Sequence, residues 1–264
     1  MSGVALDARR DGAVLRLTLD RPERRNAIDD ATTQALLAEL EAANQDESVR
    51  VITLTGAGND FCSGFDLGTR GQGETRPRVG SLQRRLPALA HRLVALVCSV
   101  QVPVVAVVRG WCAGLGLHLA VAADFCVAAA DARFWEPFTA RGFTPDSGGT
   151  WLLPRRVGLT RANEMLLLGR ELSGTEAAAW GLIHEATEPE ELDPRAAALV
   201  DRLATGPTVA LGLTKWLVHT GAGLDLDRHL ANEALALELS SRTSDFREGV
   251  AALQERRDPR FAGR

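Results

Sequence analysis

The sequence predicts an α/β fold, and three observations carry that prediction. Short apolar segments, Ala13–Leu19, Val51–Thr55, Pro103–Val108 and Phe125–Ala129, recur through the first half of the chain. Longer segments with apolar residues at helical spacing, 29–44 and 81–97, lie between them. From about Arg161 onward the pattern is helical. Strands alternating with helices argue for a sheet covered by helices. The 264 residues suffice for one large core with a smaller appended unit.

The elements follow in chain order. Ala13–Leu19 alternates apolar and polar residues like a half-buried strand and ends at Asp20-Arg21-Pro22. Asp29 or Asp30 caps a helix to about Asn44, with Ala35, Leu36, Leu37 and Leu40 on one side. The strand Val51–Thr55 is stopped by Gly56-Ala-Gly58. Gly68–Gly80, rich in Gly, Arg, Thr and Pro, reads either as a loop over the Phe61–Leu67 turn or as a surface insertion. A helix over Ser81–Val97 carries Leu82, Leu86, Leu89, Leu93 and Leu96. The strand Pro103–Val108 runs into Gly110, and Phe125–Ala129 is a further strand. Helices then follow at Arg161–Leu168, Ser173–Trp180, Asp193–Ala204, Val209–Val218 and Asp225–Ser240. In the last of these, Leu230, Leu235, Leu237 and Leu239 form either a subunit contact or part of the chain's own core.

Composition removes several function classes. A net charge of −4 gives no general attraction to nucleic acid or anionic membranes. The N-terminus MSGVALDARRDG lacks an apolar signal core and no 18-residue apolar stretch occurs, so a cytoplasmic protein is expected. Cys62, Cys98, Cys112 and Cys126 show no metal-ligand spacing and sit in apolar or glycine-rich surroundings, which predicts buried free thiols and no metal. Lys215 is the only lysine.

Two stretches carry the chemistry. Gly110-Trp-Cys-Ala-Gly114-Leu-Gly116-Leu-His118 lets the backbone approach a ligand closely. Downstream, Asp146 stands between Pro145 and Ser147-Gly148-Gly149. One acid beside backbone donors suits enolate chemistry. Asp before Ser-Gly-Gly is also a good helix N-cap, and on local sequence that reading competes with catalysis. His118 lies on an apolar helix and admits three roles: a second acid/base, a group orienting Asp146 or a water, or a buried neutral histidine. Trp111, Trp135 and Trp151 either line an aromatic pocket or pack in the core.

Arg21-Pro-Glu-Arg-Arg-Asn26-Ala, Gly58–Leu67, Pro103–Gly116 and Gly142–Gly158 resemble, in order and spacing, motifs of the crotonase (enoyl-CoA hydratase/isomerase) superfamily. The resemblance spans residues 10 to 262. Within that superfamily Pro145–Arg155, Leu172–Ile183 and Asp245–Val250 look like the branch that isomerises 1,2-epoxyphenylacetyl-CoA. It implies the crotonase fold, a spiral of ββα units, with residues 1–200 forming the core and acyl-CoA site. Residues 201–264 would form a helical oligomerisation region building trimers or pairs of trimers. It also implies a coenzyme A thioester as substrate, with no metal and no redox cofactor.

By motif position the resemblance assigns the thioester oxygen to the backbone N–H groups of Phe65, between Gly64 and Asp66, and Leu115, between Gly114 and Gly116. Arg24, Arg25 and Ala27 fall where the family lays the adenosine and phosphate end of CoA, and arginine suits phosphate oxygens. Ser63, Gly64, Asp66, Leu67 and Gly114 match further CoA or substrate positions, with Asp66 and Leu67 near the adenine and Trp135 and Phe138 along the acyl group. Leu253 and Arg256 fall where a neighbouring subunit's last helix meets the CoA.

The reaction turns on three positions. Hydratases of the superfamily use two glutamates, and this chain has His118 and Phe138 in their places. Phenylalanine moves no proton, and Glu136, two positions away, need not share its direction. Asp146 matches the acid/base carboxylate of the isomerases. The leading expectation is therefore an isomerase acting on an enoyl-CoA or ring-epoxide acyl-CoA. The alternatives are an altered hydratase using His118, a non-catalytic acyl-CoA-binding protein, and a hydrolase with Asp146 as nucleophile.

Overall fold

The computed structural model describes residues 4–69 and 78–264, so the predicted Gly68–Gly80 loop lies mostly outside the described residues. Six strands form the central sheet: β1 (Leu6–Asp11), β2 (Val14–Leu19), β3 (Val51–Gly56), β4 (Val104–Val108), β6 (Phe125–Ala129) and β9 (Glu185–Thr187). They lie side by side in that sequence, β1-β2-β3-β4-β6-β9. All neighbours run parallel except the β1–β2 hairpin. A small second sheet joins β5 (Trp111–Ala113), β7 (Arg133–Trp135) and β8 (Leu172–Ser173).

β4 is buried at every residue, as expected of a parallel strand covered on both faces. β1 escapes the sequence pattern because Leu-Asp-Ala-Arg-Arg-Asp offers little apolar alternation. It is an exposed edge strand held by its ladder to β2, and Gly12, at φ +56°, makes the tight turn between them.

The helices are α1 (Asp30–Gln45), α2 (Ser81–Arg85), α3 (Ala90–Ser99), α4 (Leu115–Ala122), α5 (Gly149–Leu168), α6 (Gly174–Trp180), α7 (Leu192–Ala204), α8 (Thr208–Gly221), α9 (Leu226–Ser240) and α10 (Ser244–Glu255). Asp29 caps α1 by accepting from the Thr32 N–H at 2.8 Å. The predicted helix over Ser81–Val97 is divided in two. Pro87 lies in a 3-10 turn between α2 and α3, where a missing N–H breaks the ladder. α5 begins twelve residues before the predicted Arg161, and bends at Gly158, whose φ of 76° and ψ of 165° are not helical.

The chain's one lysine pins α8 to the core. Lys215 Nζ lies 2.8 Å from Asp124 and donates to the carbonyls of Val97 (3.0 Å) and Val102 (3.3 Å). Burial pushes its ammonium below the usual lysine range, while Asp124 opposes that shift. The α9 leucines are not intrachain core: Leu230, Leu235, Leu237 and Leu239 are 49%, 53%, 65% and 49% exposed.

Candidate active site

The site begins at the exit of β2, where the chain turns twice on left-handed residues, Arg25 (φ 48°) and Asn26 (φ 55°). Asn26, 1% exposed, accepts from the Arg21 N–H and donates to the carbonyls of Ala57 (2.9 Å) and Asp60 (2.7 Å). Asparagine tolerates this backbone region and here ties two loops together, a role that a sequence motif alone does not reveal.

Residues 62–66 then run between two neighbours. On one side Ser63 N–H donates to Arg25, Ile28 N–H to Gly64, and Asp66 N–H to Ile28. On the other, Cys62 N–H donates to Trp111 and Ala113 N–H to Cys62. Since the Gly64 carbonyl and the Asp66 amide both face Ile28, the extended backbone between them turns the Phe65 N–H the other way. A Cβ on Gly64 would lie 2.9 Å from the Ala113 carbonyl oxygen, so only glycine permits this approach. Gly114, at φ 53° and ψ −123°, leads into α4. The Leu115 N–H is the first of that helix and has no carbonyl within it to bond.

Phe65 and Leu115 share one cleft with Ser63, Gly64, Leu67, Gly114, Pro137, Phe138, Arg141, Phe143 and Asp146. Its free volume is about 20 Å³, little more than one water. Asp146 is the only carboxylate among these lining residues. It does not cap α5, whose N-cap is Gly148 without a side-chain bond. Instead Asp146 Oδ1 accepts from Ser147 Oγ at 3.2 Å, and the Asp146 carbonyl accepts from His91 Nε2 at 2.8 Å.

His118 is 0% exposed and does not line the cleft. The Phe138 ring stacks on its face, with centroids 5.7 Å apart and planes 7° apart, and Phe143 meets Phe138 edge-on at 5.4 Å. Behind that lid, His118 Nδ1 lies 2.7 Å from Ser147 Oγ and Nε2 lies 2.9 Å from Glu136 Oε1. Of the three roles that the sequence leaves open for His118, this geometry favours a buried, partnered histidine over a direct acid/base, because the Phe138 ring that lines the cleft stacks on it. Glu136, whose offset from position 138 argues against it in the sequence, turns inward to His118 and is 1% exposed.

The sequence leaves two roles open for the tryptophans, and none of the three lines this cleft. Trp135 donates its indole N–H to the Gly169 carbonyl at 3.0 Å and is not in the cleft wall. Trp111 packs under Arg133, with Arg25 further off, and Trp151 is 46% exposed beside Arg155. The aromatic wall is Phe65, Phe138 and Phe143 instead. Arg141 and Phe143 escape sequence reasoning because they lie on a short turn without periodic pattern.

Of the residues expected along the CoA, Ser63, Gly64, Leu67 and Gly114 line the cleft. Arg24, Arg25 and Ala27 lie outside it, joined to its rim through the Ser63 contact with Arg25. Arg25 lies 3.8 Å from Asp60, and the Asp66 carboxylate takes Arg21 at 2.7 Å and the Gly68 N–H. Leu253 is 80% exposed on α10, and Arg256 ends that helix with φ 55°.

All four cysteines are free, and Cys62, Cys112 and Cys126 are buried. Burial pushes the Cys62 and Cys126 thiols up to about 12. Among the described residues no group of His, Cys, Asp and Glu has metal-ligand geometry, and no helix is long and apolar enough to cross a membrane.

Comparison with known proteins gives the class to which this fold and cleft belong. The Enoyl-CoA hydratase/isomerase family model matches residues 9–264. The chain is 39% identical to the 1,2-epoxyphenylacetyl-CoA isomerase of Escherichia coli over 95% of each chain, and 33% identical to that organism's 2,3-dehydroadipyl-CoA hydratase over 97% of each. The crystal structure of an enoyl-CoA hydratase from Bacillus anthracis superposes with a TM-score of 0.91 at 29% identity, covering 98% of this chain and all of that one. The protein belongs to the enoyl-CoA hydratase/isomerase family and has the crotonase fold.

Proposed function

We propose that the protein is an isomerase that shifts a double bond, or rearranges a ring epoxide, in an acyl group carried on coenzyme A. The observation that carries this reading is the cleft's charge content: among the described residues Asp146 is its one lining carboxylate, and Phe138 covers His118. Hydration by paired glutamates needs two proton-carrying groups on the substrate; a 1,3-shift needs one. In the shift, the C2–H bond breaks as Asp146 takes the proton. The electron pair moves to the thioester oxygen, held by the Phe65 and Leu115 amides, and the proton returns at C4. Loss of one such donor costs about 3 kcal/mol of transition-state stabilisation.

Proton transfer and oxyanion stabilisation complete this reaction, so the proposal gives no step to a metal or redox cofactor. Arg24 and Arg25, both exposed beside the rim, supply cations for the CoA phosphates. The uncovered α9 leucines support packing against further copies as a trimer or pair of trimers, which light scattering on the purified protein tests.

The activity test follows 2-enoyl-CoA formation from trans-3-enoyl-CoA esters, and product formation from the ring epoxide, in wild type and Asp146→Asn. The expected result is a loss of about 10²- to 10⁴-fold in kcat with ester binding kept. Absence of turnover on every substrate, with CoA-ester binding intact, would favour a carrier and refute the proposal.

A further inference from the structure

Three buried side chains join end to end with the cleft carboxylate. Glu136 Oε1 meets His118 Nε2 at 2.9 Å, His118 Nδ1 meets Ser147 Oγ at 2.7 Å, and Ser147 Oγ meets Asp146 Oδ1 at 3.2 Å. Glu136, His118 and Ser147 are each 1% exposed or less. Counting protons along this chain determines its state. A hydroxyl has one proton to donate, and an ionised carboxylate only accepts. With Asp146 ionised, Ser147 donates to its Oδ1 and must therefore accept from His118, so Nδ1 carries a proton.

The contact between His118 Nε2 and Glu136 then needs one proton more. Either Nε2 holds it, making an imidazolium beside a carboxylate, or Oε1 holds it, making a carboxylic acid beside a neutral ring. Glu136 Oε2 discriminates between the two, because it is buried with no hydrogen-bond partner among the described residues. A carboxylate would place half its charge on that bare atom, whereas an acid leaves there only a neutral carbonyl oxygen, whose burial costs far less.

We infer that Glu136 is a buried carboxylic acid that donates to His118 Nε2, fixes the ring as the neutral Nδ1–H tautomer, and through Ser147 holds Asp146 Oδ1 as an acceptor. Asp146 Oδ2 is then the atom that takes the substrate proton and returns it, while the three protons of the chain stay in place. Glu136, His118 and Ser147 are positioning residues, since Phe138 separates the histidine from the substrate. Two other ionisable groups on packed elements also face Asp146. His91 from α3 holds its carbonyl, and Arg141 shares its cleft. The assignment of Oδ2 rests on the proposed function; the protonation of Glu136 does not.

The two parts are tested separately. Difference infrared spectroscopy of wild type against Glu136→Gln at neutral pH should show the C=O stretch of a protonated carboxyl. That band should be absent from Glu136→Gln and unmoved by Asp146→Asn. A missing band would mean an imidazolium–carboxylate pair and overturn the inference. In kinetics, Glu136→Ala should lower kcat about tenfold, and Glu136→Gln, whose side-chain amide still offers an N–H to Nε2, should recover most of that loss. Ser147→Ala, which removes the donor to Oδ1, should lower kcat at least about tenfold with KM little changed. A loss in Glu136→Gln as large as in Ser147→Ala would show that a charge at position 136 is required and would also overturn it. If Asp146→Asn proves harmless while the band is present, the isomerase reading falls and the protonation of Glu136 stands.

Discussion

Gly149→Ala puts a single methyl group against the fully buried ring of His118. A Cβ at position 149 would lie 2.2 Å from His118 Nε2 and 2.9 Å from both its Cδ2 and Cε1. The ring has nowhere to retreat: Ser147 and Glu136 hold its two nitrogens, and Phe138 covers a face. If the backbone yields, overpacking costs about 1–3 kcal/mol. If the ring yields, its two buried partners lose their hydrogen bonds at about 1–3 kcal/mol each. Alanine returns at most about 1 kcal/mol through helix propensity. The net loss is about 0–3 kcal/mol if the backbone yields and about 1–6 kcal/mol if the ring does; at roughly 2–4 °C per kcal/mol, a mid-range loss of about 2–3 kcal/mol lowers the melting temperature by about 4–12 °C. Scanning calorimetry measures it, with Gly223→Ala as control, because nothing among the described residues lies within 4 Å of a Cβ there. A Gly149→Ala melting temperature within about 2 °C of wild type would show that His118 has room, and would refute the packing argument.

Lys215→Met strands Asp124 without its cation and should cost about 3–5 kcal/mol in denaturant unfolding, near the lower end because Asp124 also accepts from the Val104 N–H. Phe143→Ala removes the ring standing edge-on to Phe138 at the cleft wall and should raise kcat/KM for long acyl groups relative to short ones. The raised thiols of Cys62 and Cys126 stay protonated until pH climbs toward about 12. At pH 8 their thiolate fraction is on the order of 10⁻⁴, so iodoacetamide should leave both unmodified in native protein and label them in denaturant, as read by mass spectrometry.

The legible parts of the sequence are those where one physical cause dominates. The strands of the parallel sheet show because burial on both faces forces apolar runs such as Val104–Val108. Motif order brings Asp146, Phe65 and Leu115 together, and the structure places all three around one cleft. β1 is illegible because an edge strand is held by backbone pairing, which leaves no trace in side-chain pattern. The leucine periodicity of 81–97 masks the break at Pro87, since a helical repeat continues across a proline that the backbone cannot follow. Spacing from position 138 is a poor guide to where Glu136 points. β7 ends at Trp135, and beyond it the chain leaves strand geometry, so alternation no longer sets the direction of residue 136.

Positions 118 and 138 each depart from the two-glutamate pattern of a hydratase, and taken singly each reads as a loss. Together with Glu136 they make one buried unit. A histidine on the fully buried α4 needs partners for both nitrogens, and Ser147 and Glu136 supply them. That pair in turn needs water kept out, since a solvated glutamate would ionise and compete with Asp146 for the cleft's negative charge. The Phe138 ring meets that need by stacking on His118 where a glutamate side chain would open a polar path to the cleft. On this reading Glu136, His118 and Phe138 are interdependent. Phe138→Glu should not restore a hydratase, because it would uncover His118 beside a new charge while Asp146 remains the carboxylate held by Ser147. Hydration of crotonyl-CoA by Phe138→Glu at a rate matching isomerisation by wild type would show that the three positions act independently.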